Sequence, residues 1–168
     1  MADFQKCLSF VLPHEAGTPP SYEVTNDNKG QVIAGVNSLA FPEDFAAIAA
    51  LPIGQRPAAV QSFYERRFWN QYLAQIISNA IAAYILDADV NEGQCIGIDI
   101  LQDAVDACGG SVVVDGHIGP RTVLAANQIA VATLLLAARS AREAAYRKIG
   151  GPNLPAWLAR AALLPNLD

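Results

Sequence analysis

The chain has 168 residues, 52% of them apolar and 16% charged, and its 16 acidic against 11 basic side chains give a formal net charge of −5. That composition suits one compact domain, or two closely packed lobes, and is too apolar for a disordered chain. The acidic balance argues against a nucleic-acid binder, and two histidines with three scattered cysteines cannot build a zinc site of standard spacing.

In chain order, residues 3–12 read as a helix, because Phe4, Cys7, Leu8 and Val11 recur at i, i+3, i+4 and i+7. Pro13 is expected to end or kink it. Residues 16–42 hold three glycines and three prolines among Ser, Thr, Asn and Asp, which reads as a long loop with a short hairpin around Asn28-Lys29-Gly30. A loop of that length in a compact domain is often functional. Pro42-Glu43-Asp44 opens a helix through Leu51, with its acids at the positive end. A helix over 57–68 follows, with Val60, Phe63, Tyr64 and Phe68 inward, and another from Trp69 to Leu86. Asp87 to Gly93 reads as a break.

Residues 95–108 form a further amphipathic helix, stopped by Gly109-Gly110. Val112-Val113-Val114 is a short extended run turned by Asp115-Gly116. Gly119-Pro120 opens a helix over 121–149, broken near Asn127, and a short helix around Trp157 closes the chain. The 30 alanines fit this reading, since alanine is the best helix former and lets helices approach closely. The expected fold is all-α or nearly so. The longest apolar stretch, Ile129 to Ala138, is interrupted by Thr133 and is well short of the roughly 20 residues a spanning helix needs. The first residues lack a basic segment followed by an apolar one, so no Sec-type signal peptide is expected. Cys7, Cys95 and Cys108 form no CxxC pair and read as buried structural thiols, with a single bridge left open.

No nucleophile elbow, phosphate loop or dinucleotide fingerprint occurs. His14 and His117 read as surface or hydrogen-bonded residues, and Cys7, on the apolar face of the first helix, is a poor nucleophile. Carboxylates remain. Glu15 sits just past the first helix, behind an apolar run and at the mouth of the long loop. Partial desolvation there favours the protonated form and suits a general acid. Asp27 lies further along the same loop. Two carboxylates flanking a cleft are the minimum equipment for glycoside hydrolysis. Loop carboxylates are more often solvated or cap helices, so the residues alone leave both readings open. A second constellation, Leu101-Gln102 followed by Val114 to Thr122, reads as a helix, a tight turn and a new helix.

Taken in order, these stretches resemble the N-acetylmuramidases of glycoside hydrolase family 108, which carry a C-terminal predicted peptidoglycan-binding domain. Phe10-Val11-Leu12-Pro13-His14-Glu15-Ala16-Gly17 is similar to the family's "VLxxEGG". Asn26 through Val36 is similar to "DPGGxTxxGI", and Tyr64 through Trp69 to its "Y…YW" helix. Further matches fall at Asp89 to Gly93, Leu101-Gln102, Asp115 to Thr122, Arg142…Tyr146 and Trp157 to Arg160. They span nearly the whole chain.

The resemblance implies a mostly helical, lysozyme-like fold. It implies residues 1–88 as a muramidase-like segment and 89–168 as a peptidoglycan-binding segment, packed as one compact unit. It also implies cleavage of the β-1,4 bond after N-acetylmuramic acid, with Glu15 as general acid, Asp27 positioning or activating water, and no cofactor. Tyr22, Tyr64, Trp69 and Tyr72 are the candidate sugar-binding aromatics, although helical spacing equally suits core packing for Trp69. Asp115, Gly116, Gly119 and Thr122 are expected to shape a turn rather than touch sugar.

The chain departs from the family where a threonine is usual, at Val32, and where the first glycine after Glu15 is Ala16. The stretch between Glu15 and Asp27 is longer and holds Thr18-Pro19-Pro20. Thr25 or Ser21 could supply the missing hydroxyl. The alternatives are a catalytically impaired peptidoglycan-binding protein, or a phage or secretion-associated protein, on the same scaffold. The expected partner is peptidoglycan rather than nucleic acid. A chain made in the cytoplasm would then reach the periplasm or wall through a holin, a secretion system or lysis. Residues 87–115 carry seven acids and no Lys or Arg. Any wall binding is therefore expected to rest on shape and hydrogen bonds and to weaken little with salt.

Overall fold

A computed structural model describes residues 1–27, 30–93 and 95–168. The chain forms two compact units, one of residues 8–69 and one of residues 1–7 with 70–168. Residues 88 and 89 lie within a helix of the second unit.

The first helix, α1 (Phe4–Ala16), runs three residues past Pro13. Proline costs a helix its own N–H bond, but its carbonyl still accepts, here from Gly17 N–H at 3.1 Å, and the last turn survives. In the unit of residues 8–69, three short strands follow: β1 (Thr25–Asp27), β2 (Gly30–Ile33) and β3 (Val36–Asn37), in an antiparallel sheet of that order. The region expected as a loop with one hairpin is thus a small meander. The expected tip residues Asn28 and Lys29 lie outside the described residues. Ile33 pairs with Val36, and both are fully buried.

Helices α2 (Pro42–Ala49) and α3 (Arg56–Phe68) complete the unit, each opened by proline in its first turn. Phe63 is buried and meets Phe41, Tyr64 and Phe68 edge-on at ring-centroid distances of 4.9, 5.2 and 5.9 Å. Such edge-to-face contacts add about 0.5–1.5 kcal/mol each beyond burial.

In the other unit, the single helix expected from Trp69 to Leu86 is a one-turn 3₁₀ helix (Leu73–Gln75) and then α4 (Asn79–Glu92). Asn70 holds the 3₁₀ turn by accepting from Tyr72 and Leu73 N–H. Ser78 caps α4 by accepting from Ile81 N–H, and the Asp168 carboxylate accepts from Asn79 N–H at 2.7 Å. The expected break at 87–93 is not there. α4 continues to Glu92 with every residue from Ala80 to Asp89 buried. The run that reads as a loop is helical because Asp87 and Glu92 find cations inside the unit.

Asp87 receives Arg142 Nη1 at 2.8 Å and Arg160 Nη2 at 2.8 Å, and Arg142 Nε reaches Glu92 at 2.9 Å. The Arg142 guanidinium also lies 5.3 Å and 5.5 Å from the ring centroids of Tyr84 and Tyr146. Asp89 is pushed up to about 7, first by burial, although Gly97 N–H donates to it at 3.0 Å.

Helices α5 (Ile96–Ala107), α6 (Pro120–Gln128), α7 (Val131–Ile149) and α8 (Leu154–Ala161) follow, and α5 and α7 pack together. The expected interruption near Asn127 is the α6–α7 junction, bent by 119°. Among the described residues no single helix is long and apolar enough to cross a membrane. The valines at 112–114 join no strand. Gln102, buried, instead clamps the following turn: its side-chain oxygen accepts from Asp115 and Gly116 N–H, and its amide donates to Asp115 and to His117 O. All three cysteines are free. Only Cys7 is a buried thiol; Cys108 is partly covered, and Cys95 is exposed at the start of α5.

Candidate active site

The site lies within the unit of residues 8–69 and begins with a turn. Ala34 and Gly35 join β2 to β3 as a two-residue hairpin, and both have positive φ, 46° and 82°. This is the signature of a type I′ turn, whose twist matches the strands it joins. At Gly35 the conformation is free, whereas at Ala34 it costs about 1 kcal/mol.

The contacts of the turn show why glycine stands at Gly35. Tyr64, from the middle of α3, donates its hydroxyl to Ala34 O at 2.9 Å. A Cβ on Gly35 would collide with that hydroxyl, and would sit 2.9 Å from both Cβ and Oε2 of Glu15. The end of α1, the β2–β3 turn and α3 therefore converge over one glycine. Glu15 is half-buried where they meet. A carboxyl beside this hydrogen-bonded turn and the buried Tyr64 is in a setting that suits positioned acid catalysis.

Asp27 ends β1, opposite Gly30, and is exposed. The register gives it a defined set of neighbours. Thr25 pairs with Val32, and Val32 pairs with Asn37. Directly opposed residues share a face, as do residues two apart on a strand. Thr25, Asp27, Val32 and Asn37 thus lie on one face of the sheet, and Ile33 and Val36 on the other, in the core. Thr25 places its hydroxyl across from Val32 and donates to Val32 O at 3.3 Å. The hydroxyl absent at Val32 is present on the same face, one strand away.

The aromatics divide. Tyr64 is 1% exposed, so its ring offers no face to a sugar; it positions the turn instead of binding substrate. Tyr22 is half-buried, and its carbonyl accepts from Arg56 Nη1 at 2.9 Å. The same guanidinium donates to Ala49 O and Leu51 O, so one side chain closes the end of α2 and fixes the segment carrying Tyr22. Trp69 is half-buried at the end of α3. Tyr72 is half-buried in the other unit. Sequence reading missed Gly35 and Arg56 as organisers. Gly35 lay in a quoted motif, but nothing local marks a glycine as a contact point, and nothing local marks Arg56 at all.

Among the described residues no cluster of three or more His, Cys, Asp or Glu is placed to hold a metal ion. The geometry is that of an acid at the end of a helix, facing a small antiparallel sheet, in a mostly α, lysozyme-like fold. The structure of SagA from Brucella abortus matches this chain with a TM-score of 0.69 at 19% identity, over 95% of this chain and 89% of that one. No family model matches the sequence. No curated protein matches it either.

Proposed function

We propose that this chain is a peptidoglycan hydrolase that cleaves the β-1,4 bond between N-acetylmuramic acid and N-acetylglucosamine. The observation that carries the reading is the placement of Glu15. It is half-buried at the end of α1 and held over Gly35 beside the fixed Tyr64 hydroxyl. The ordered resemblance to the family 108 muramidases assigns that position to the general acid, and the lysozyme-like fold agrees with it.

In this mechanism Glu15 protonates the leaving glycosidic oxygen as the bond to the sugar carbon breaks. Asp27, on the sheet face with Thr25, receives the proton of the attacking water, and the Thr25 hydroxyl orients that water in place of the residue at Val32. The sugar is bound along Tyr22 and Trp69. The cleft of about 450 Å³ beside Gln102, Asp115 and Arg121 is a second place for glycan, in the segment the family resemblance assigns to wall binding. The substrate lies outside the cytoplasmic membrane, and a holin, a secretion system or lysis would bring the enzyme to it.

One observation favours a second reading. Val32 carries no hydroxyl, which suits a protein that holds glycan without cutting it.

The test is digestion of purified sacculi, read by mass spectrometry of the released fragments. Fragments with N-acetylmuramic acid at the new reducing end support hydrolysis. Thr25→Val should lower the rate by about 10- to 100-fold, and Val32→Thr should raise it. Sacculi that pellet the protein and stay intact would select the second reading.

A further inference from the structure

In the unit of residues 70–168, an open groove of about 790 Å³ runs between α5 and α7. On α5 it is lined by Ile96, Asp99, Ile100, Asp103 and Ala107, spaced as one helical face over three turns. On α7 it is lined by Ala137, Ala141, Ala144, Ala145 and Lys148, again one face. Each stripe is about 17 Å long. Ile96, Val114 and Ile149, all on the groove, are 37%, 43% and 64% exposed. Large apolar side chains gathered on one concave surface mark an interaction site rather than scattered surface hydrophobics.

The polar groups give the groove a sign. Asp99 and Asp103 stand against one lining cation, Lys148, while Glu92 is buried and paired with Arg142.

We propose that this groove is a docking site for a basic amphipathic helix of a partner protein. The alanines of α7 let a helix backbone lie close, the isoleucines and Val114 cover its apolar face, and the acidic rim receives its Lys or Arg residues. The length of the stripes fits a helix of about 12 residues. A second copy of this chain would bring another −5 of charge to an acidic rim, and anionic lipid or nucleic acid would be repelled by it. The proposal does not rest on the hydrolase reading: Glu15 lies in the other unit.

The experiment uses the full chain and fluorescence anisotropy. The probe is a labelled peptide of about 14 residues with Leu on one helical face and Lys on the other; a Glu-for-Lys counterpart and a scrambled Lys peptide are the controls. The Lys-faced helix should bind at least about 10-fold tighter than either control, and binding should weaken as salt rises from about 50 to about 300 mM. Ala144→Trp, which fills the groove, and Asp103→Lys, at an exposed position, should each weaken binding at least about 10-fold while Glu15→Gln leaves it unchanged.

Equal binding of the three peptides would overturn the proposal, as would binding unaffected by both groove variants. So would a dimer in sedimentation that Ala144→Trp dissociates, because the occupant would then be a second copy. Capture by neutral lipid vesicles that Ala144→Trp abolishes would overturn it too. If Ala144→Trp fails to fold, Asp103→Lys and the peptide pair decide.

Discussion

The two units put their acidic side chains to opposite uses. In residues 70–168, Asp87 is fully buried and held by two guanidinium groups, and Asp89 is buried against the start of α5. In residues 8–69, Glu15 is half-buried and Asp27 exposed, on a helix end and a short strand that other elements hold in place. Asp89, pushed up to about 7 by burial, is in the unit without the candidate acid. Perturbed carboxyls often mark functional sites, but ion networks perturb them as well. Here reach to solvent and a fixed geometry separate the candidate catalysts from the structural acids.

The largest effect should come from breaking the buried network. Asp87→Ala leaves Arg142 buried without its main partner, and this should cost about 3–5 kcal/mol, read as a fall in the denaturation midpoint. Sacculus binding or cleavage by the fraction that remains folded should be unchanged.

Gly35→Ala should cost less stability, about 1–3 kcal/mol, since its Cβ collides with Tyr64 and Glu15 at a positive φ. Its effect on cleavage should be the larger one, at least about 100-fold, because it displaces the acid. A thermal melt alongside the digestion assay separates the two.

Asp89→Asn should act on pH dependence. Asp89 sits at about 7 when folded, above its ordinary value near 4, so the folded state holds the proton more tightly. Its carboxyl carries no penalty below about pH 4, and stability falls as pH rises from there to about 7. The wild type should lose on the order of 4 kcal/mol across that window relative to Asp89→Asn, measured by urea unfolding at a series of pH values.

Much of this arrangement was legible in the sequence, and the exceptions share a cause. Helices with a clear apolar stripe and a proline start, such as α2, α3 and α6, were readable because local signals and burial agree. Asp87 to Gly93 was misread because Asp, Asn and Glu signal a loop locally, while their partners Arg142 and Arg160 are 50 to 73 residues away. α1 runs on to Ala16 because a proline near a helix end removes only one bond. At the site, Glu15 and Asp27 were nameable from their setting and the family pattern. The pairing of Thr25 with Val32 was not, since register is a property of the folded sheet. Tyr64 was assigned to sugar because an aromatic in a motif looks alike whether its ring faces a cleft or a core.

The most direct test of the central claim is Glu15→Gln, measured for sacculus cleavage and for thermal stability in parallel. A general acid should lose at least about 100-fold in rate on this substitution, with a melting midpoint within about 2 °C of wild type. Cleavage at the wild-type rate by the Gln variant would contradict the account.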